Sequence, residues 1–220
     1  MNNYNLTIET LSDTLIGSGE GFGAVIDTDI VFDDIGIPYI PSKRIKGLLR
    51  DSARNVIEMM NEFDLSIPND EKKLFGEPGM ENFSDLIISN LYIEDYKENY
   101  EWLEFFTKSD KFSDLFSKDS VSDFFTNIRK STTIDDSGVA KKHSLRSARV
   151  LSNGFIFNGE IEIQSGKEEF EKLLILACLN LKAMGTKRNR GLGEIKCVLF
   201  KENENLNQTI LKELEELCKE

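Results

Sequence analysis

Apolar residues recur along the chain with two periods, one of two residues and one of about 3.6, and the switches between them divide it into strands and helices. Residues 6–11 alternate and predict a first strand. The glycine run from Gly17 to Gly23 follows as a loop, and residues 25–32 read as extended. Pro38 and Pro41 lead into a helix with Ser42 as its N-cap, in which Ile45, Leu48, Leu49, Ala53, Val56, Ile57 and Met60 share one broad face. Residues 86–93 and 155–164 predict the second and third strands. Residues 168–184 carry apolar positions at helical period, with Gly185 where a C-cap glycine belongs. A fourth strand over 194–201 and a terminal helix over 206–219 complete the pattern. Between 96 and 127, Phe105, Phe106, Phe112, Phe116, Phe124 and Phe125 predict the packing face of an inserted helical piece.

Strand, helix, strand, insertion, strand, helix, strand is the split βαβ order of ferredoxin-like and RNA-recognition folds, so the expected class is α+β with a βαββαβ core. With 220 residues and 40% hydrophobic content, one elaborated domain over 1–220 is expected. No apolar run approaches the roughly 20 residues of a membrane helix. The opening Met1-Asn2-Asn3-Tyr4-Asn5 lacks the basic and apolar regions of a signal peptide, so no membrane partner and an intracellular location are expected. Cys178, Cys197 and Cys218 show no CxxC spacing, which predicts reduced thiols, at least two of them buried.

The formal charge of −12 opposes indiscriminate nucleic-acid binding, but its distribution is uneven. Acids outnumber bases by about three to one over 58–123, whereas 43–54, 141–149 and 187–190 are locally basic. That pattern suits one cationic groove in an acidic exterior. Lys43, Lys46, Arg50 and Arg54 fall together on the helix face opposite the apolar one, with only Asp51 as an opposite charge within the segment. The loop Gly185-Thr186-Lys187-Arg188-Asn189-Arg190-Gly191-Leu192-Gly193 sets three cations among three glycines, suited to approach a phosphate backbone or, equally, to make a solvated turn.

Three other motifs fail on context. Residues 19–24 fit GxGxxA by letters, yet an extended segment follows instead of a helix. Neither glycine run leads into GK[ST], and Asp27-Thr28-Asp29 continues into Ile30, Val31 and Phe32 where a calcium loop needs polar ligands and a glycine.

Four ordered segments together resemble the RAMP superfamily of CRISPR-associated proteins, most closely the repeated backbone subunit of type III effector complexes. They are the first glycine loop running into Gly23-Ala24-Val25-Ile26-Asp27; residues 37–50; Thr133 to Ala140 continuing to Leu145-Arg146 and Arg149-Val150; and the glycine loop at 185–193. The resemblance implies that Ser42, Lys43, Arg44 and Lys46, with Arg50 and Arg54 farther along the same helix, contact guide RNA. It implies a β-hairpin thumb at about 131–152, following an insertion at about 96–130. In that thumb Val139 and Leu145 would act as apolar wedges and Lys141, Lys142, Arg146 and Arg149 would hold phosphates. Lys187, Arg188, Arg190, Gly191 and Gly193 would support guide RNA beside the helix beginning at Ser42.

Asp27 falls where cleaving members carry the aspartate required for target-RNA scission, and would help hold Mg2+ or Mn2+. Asp29, Asp33 and Asp34 receive no role. Leu15 stands where relatives often have histidine. His143, the only histidine, lies in the expected thumb and receives no catalytic role. The implied partners are CRISPR RNA, target RNA, copies of this chain and other effector subunits, in a prokaryotic cytoplasm. A non-cleaving scaffold or capping subunit, and an acidic protein-interaction domain without RNA, remain the alternatives.

Overall fold

The computed structural model describes residues 2–17, 26–62, 70–77, 84–112 and 115–217; most of the first glycine loop and Cys218 lie outside them. The main sheet is antiparallel throughout. Strand β1 (Asn2–Thr10) pairs on one side with β7 (Ile156–Ile163) and on the other with β8 (Ile195–Lys201). Beyond β7 come β3 (Leu86–Ile88) and β4 (Leu91–Ile93), with β2 (Tyr39–Ile40) on the edge beside β4. A short β9 (Glu204–Asn205) closes the other edge against β8. The central order, β4-β7-β1-β8, is the ferredoxin-like arrangement expected.

The second strand is interrupted rather than continuous. Both β3 and β4 pair with β7, and Ser89 bridges the break: its N–H donates to Glu160 O at 2.9 Å while its hydroxyl accepts from Glu160 N at 2.8 Å. Asn90 is thereby freed to reach the helix α1 (Ser42–Glu62), and its Oδ1 accepts from Ser42 N at 2.9 Å. Ser42 thus opens the helix, and Asn90, 48 residues away, caps it; the expected Ser42 cap is replaced by this contact.

Helix α1 buries Ile45, Leu49, Ala53, Val56 and Ile57 as its periodicity predicts, each large aliphatic among them stabilising the fold by roughly 1.5–3 kcal/mol. It packs against α5 (Glu168–Asn180), to which it is pinned by the buried Ser52 hydroxyl donating to Ala177 O at 2.8 Å. Helix α5 ends at Asn180, not Met184, and its C-cap is Leu181 in extended backbone. Cys178 and Cys197 are buried free thiols; contact with Cys197 and burial together push the Cys178 thiol up. Helix α6 (Leu206–Leu217) packs on α5 and β8.

The insertion holds α3 (Tyr96–Lys108) and α4 (Lys118–Phe125), and α4 runs directly into a separate two-stranded sheet of β5 (Thr126–Ser131) and β6 (Arg146–Leu151). The hairpin therefore starts at Thr126, inside the segment expected to be helical insertion. A short helix, α2 (Glu71–Phe75), lies against α1. Among the described residues no helix is long and apolar enough to cross a membrane.

Candidate nucleic-acid interface

The paired strands of the hairpin join the body along β6. At one end of β6, Thr14 and Leu151 exchange two backbone hydrogen bonds of 2.8 Å; at the other, Asp27 N donates to Ser147 O at 3.0 Å and Arg149 N to Thr28 O at 3.0 Å. The Asp27 side chain closes this junction. Its Oδ2 accepts from Ser147 N at 2.6 Å and from the Ser147 hydroxyl at 3.3 Å. These bonds, led by the backbone N–H, with the Arg146 cation nearby, hold the exposed Asp27 carboxyl below its usual range. Asp27 is thus an oriented, ionised carboxylate at the end of the paired strands from which residues 132–145 extend. The described residues contain no cluster of three or more His, Cys, Asp or Glu able to hold a metal.

Arg149 does not face solvent as a phosphate ligand would. It is 8% exposed, with ion pairs to Asp29 at 3.6 Å and Asp123 at 3.7 Å, and its guanidinium lies over the Phe32 ring at 5.7 Å. It ties together the segment carrying Asp27, the hairpin and α4. The other aspartates of that segment are also structural. Asp33 Oδ1 accepts from the N–H groups of Ile35, Gly36 and Ile37, its Oδ2 from Tyr96, and Asp34 accepts from Tyr100.

The loop at the hairpin's end, residues 132–145, projects beyond the paired strands. Lys141 and Lys142 are exposed there, as are Val139 and Leu145, and Arg146 is exposed at the start of β6. Asp135 organises the tip: its Oδ1 accepts from Ser137 N and Val139 N at 3.0 Å each and from the Ser137 hydroxyl at 2.6 Å. Ile134 is exposed in the same loop, and Ile128 and Lys130 are exposed on β5, opposite Arg149 and Ser147.

On α1 the cationic stripe divides. Lys43 and Arg44 are exposed. Lys46, by contrast, donates to Ser84 Oγ and to Leu86 O at 2.8 Å, and burial, with the Arg50 charge second, pulls its pKa down. Arg54 pairs with Glu71 of α2 at 3.3 Å, and Arg50 is half-buried 3.9 Å from Asp51. The partners of Lys46 and Arg54 come from outside the helix, where the local spacing of charges could not reveal them.

In the second glycine loop Lys187, Arg188 and Arg190 are exposed around a 3-10 turn, Arg188–Arg190, and face no carboxylate in the ion pairs of the described residues. Two of the glycines serve close backbone approach. Gly185 has φ +84°, and a Cβ there would lie 2.5 Å from Leu15 O; at Gly193, also φ +84°, it would lie 2.1 Å from Met184 O. Gly193 N donates to Asp13 O at 2.9 Å, so this N–H is not presented to a phosphate. Gly185 lies five residues past the end of α5 and is not its C-cap.

Asp13 to Leu15, to which the sequence assigned no binding role, gather these parts. Asp13 O receives Gly193 N, the Asp13 carboxylate takes Arg129 at 2.6 Å, Thr14 holds Leu151, and Leu15 O receives Thr186 N at 3.1 Å. The glycine loop is therefore joined to the hairpin foot. It is not beside the start of α1, which follows β2 on the far edge; β4 and β8 alone are three strand spacings apart, roughly 14 Å.

The RAMP superfamily model matches residues 7–196. The fold is similar to a chain of the Type III-B Cmr-beta assembly bound to cognate target RNA, with TM-score 0.66 and 13% identity over 90% of this chain and 97% of that one. It is also similar to a chain of Type III-B Cmr-beta in its apo state, with TM-score 0.60 and 14% identity over 92% of this chain and 99% of that one. No curated protein matches.

Proposed function

The chain belongs to the RAMP superfamily, and on that premise we propose that it is a repeated backbone subunit of a type III CRISPR effector complex. In this role it lies along CRISPR RNA between copies of itself and other subunits, and cuts complementary target RNA with Asp27. The observation that carries this reading is the seating of Asp27 on Ser147, at the root of a hairpin whose exposed end is apolar and basic. Lys141, Lys142 and Arg146 would neutralise phosphates while Val139 and Leu145 enter between bases. Lys43 and Arg44 on α1, and Lys187, Arg188 and Arg190 in the glycine loop, supply further exposed cations for the guide backbone.

Asp27 would be the protein's single ligand to Mg2+ or Mn2+, which when bound would stabilise charge developing on the scissile phosphate. The chain's own part is to keep that carboxylate ionised and pointed, through Ser147 N–H, at a fixed place beside the hairpin. The target's 2′-hydroxyl would then give its proton to water as its oxygen bonds to the adjacent phosphorus, and the 5′-oxygen would leave and take a proton from water.

That Asp27 stands without a carboxylate cluster among the described residues favours a second reading, a scaffold or capping subunit that holds guide RNA without cutting. Asp27→Ala in the assembled complex separates the two. The cutting reading expects target cleavage to stop while guide RNA still co-purifies. Undiminished cleavage would remove Asp27 from the reaction, and a gently purified wild-type complex without nucleic-acid absorbance would remove both readings.

A further inference from the structure

The insertion carries an apolar surface that its own helices do not cover. Helix α3 buries none of its residues, although Trp102, Leu103 and Phe106 share one face of it. Trp102 and Phe105 are each 58% exposed, Leu115 70% and Phe124 76%. Four large apolar side chains this open within 23 residues exceed the scattered exposure of an ordinary surface. Trp102, Leu115 and Phe124 border a cavity of about 610 Å³ between α3 and α4, lined also by Leu103, Phe106 and Phe116 and floored where β4 meets the start of β7.

The charge around this groove selects what can enter it. Residues 94–123 contain nine carboxylates against four lysines. Of those lysines, Lys108 is paired with Glu104 at 2.6 Å and Lys111 lies over the Phe112 ring. Glu94 stands in the wall itself. This field repels nucleic acid and anionic lipid and attracts cations. The trough also follows a 13-residue helix, roughly 20 Å long, enough for about three turns of another helix laid alongside.

We infer that the α3–α4 groove is a docking site for a partner protein's amphipathic helix, one whose apolar stripe fills the aromatic trough and whose flanking lysines and arginines meet the acidic rim. The site stands apart from the Asp27 reading and requires no RNA.

Trp102 is the chain's single tryptophan and lines the groove, so its emission reports occupancy directly. The full chain is titrated with a synthetic leucine–lysine amphipathic helix and with a leucine–glutamate helix of identical apolar stripe. The expected result is a saturable blue shift with the lysine peptide, binding at least ten-fold weaker with the glutamate peptide, and a ten-fold loss for the lysine peptide in Leu115→Ser/Phe124→Ser. Both substituted side chains are more than two-thirds exposed, so unchanged circular dichroism is expected of that variant. The inference is overturned if the lysine peptide leaves the emission unmoved, if the two peptides bind alike, or if the variant binds as well as wild type. It is equally overturned if anionic vesicles or a single-stranded oligonucleotide produce the shift instead.

Discussion

Arg149 and Asp29 face each other at 3.6 Å inside the foot of the hairpin, both almost wholly removed from solvent. The pair spans two segments 120 residues apart in the chain and fixes the register in which Thr28 lies along Ala148. That register brings Asp27 onto Ser147.

Breaking this pair from one side should therefore be costly. Asp29→Asn leaves the Arg149 guanidinium buried with, among the described residues, the more exposed Asp123 for charge compensation, and a loss of about 3 kcal/mol is expected. Replacing both residues together, as Asp29→Leu/Arg149→Met, should lose less than the single change because no charge is left buried. Urea unfolding midpoints test this, and a single variant as stable as wild type would contradict the assignment.

The two kinds of glycine in the 185–193 loop should separate under substitution. Gly193→Ala drives a Cβ into Met184 O on a left-handed backbone and should lower stability by about 3 kcal/mol or more. Gly191 has φ +73° but open space around it, so Gly191→Ala should lose only about 1 kcal/mol. Thermal unfolding of the two variants measures the difference; equal losses would mean that the close approach of Gly193 to Met184 is not made.

Salt dependence should divide the cations of α1. Lys43→Ala and Arg44→Ala are each expected to reduce the slope of log affinity for guide RNA against log salt by about 0.7, the value for one single-strand phosphate contact. Arg54→Ala should leave that slope unchanged, because Arg54 is held by Glu71. Filter binding across a salt series reads all three, and an Arg54 effect equal to that of Lys43 would place the whole stripe on RNA.

Acid should loosen the hairpin foot late. The Asp27 carboxyl has its pKa depressed in the folded chain, so the stabilisation from its bond to Ser147 is complete above the unfolded value of about 3.9 and is lost as pH falls through the folded one. Carboxyl NMR should show Asp27 titrating below about 3.9, with Ser147 amide exchange accelerating over the same interval. A midpoint above that value would mean the Ser147 N–H bond is not formed in solution.

What could be read from the sequence depended on how far away each residue's partner lies. Alternation and helical period need only near neighbours, and β1, α1, β7, α5 and β8 follow them closely. Charged and glycine positions answer to distant backbone. Arg149 resembled a phosphate ligand until Asp29 and Phe32 came against it, and Gly193 a phosphate-binding glycine until Met184 and Asp13 did. The burial of Ala148, Arg149, Val150 and Leu151 in one run marks β6 as enclosed on both faces near the foot, which argues against a wholly exposed hairpin. The insertion departs for the opposite reason: its helices follow their period, yet Trp102, Phe105 and Phe124 touch neighbouring rings and stay more than half exposed.

The hairpin is in mechanical terms a cantilever. Its free end, residues 132–145, stands clear of the body, while its fixed end is a short row of hydrogen bonds in which Asp27 takes part. Load applied to the tip has the longest lever arm about that row, so a strand that deflects Val139 or Leu145 also applies torque where Asp27 meets Ser147. The loop and the carboxylate are thereby connected through β6, which carries Ser147.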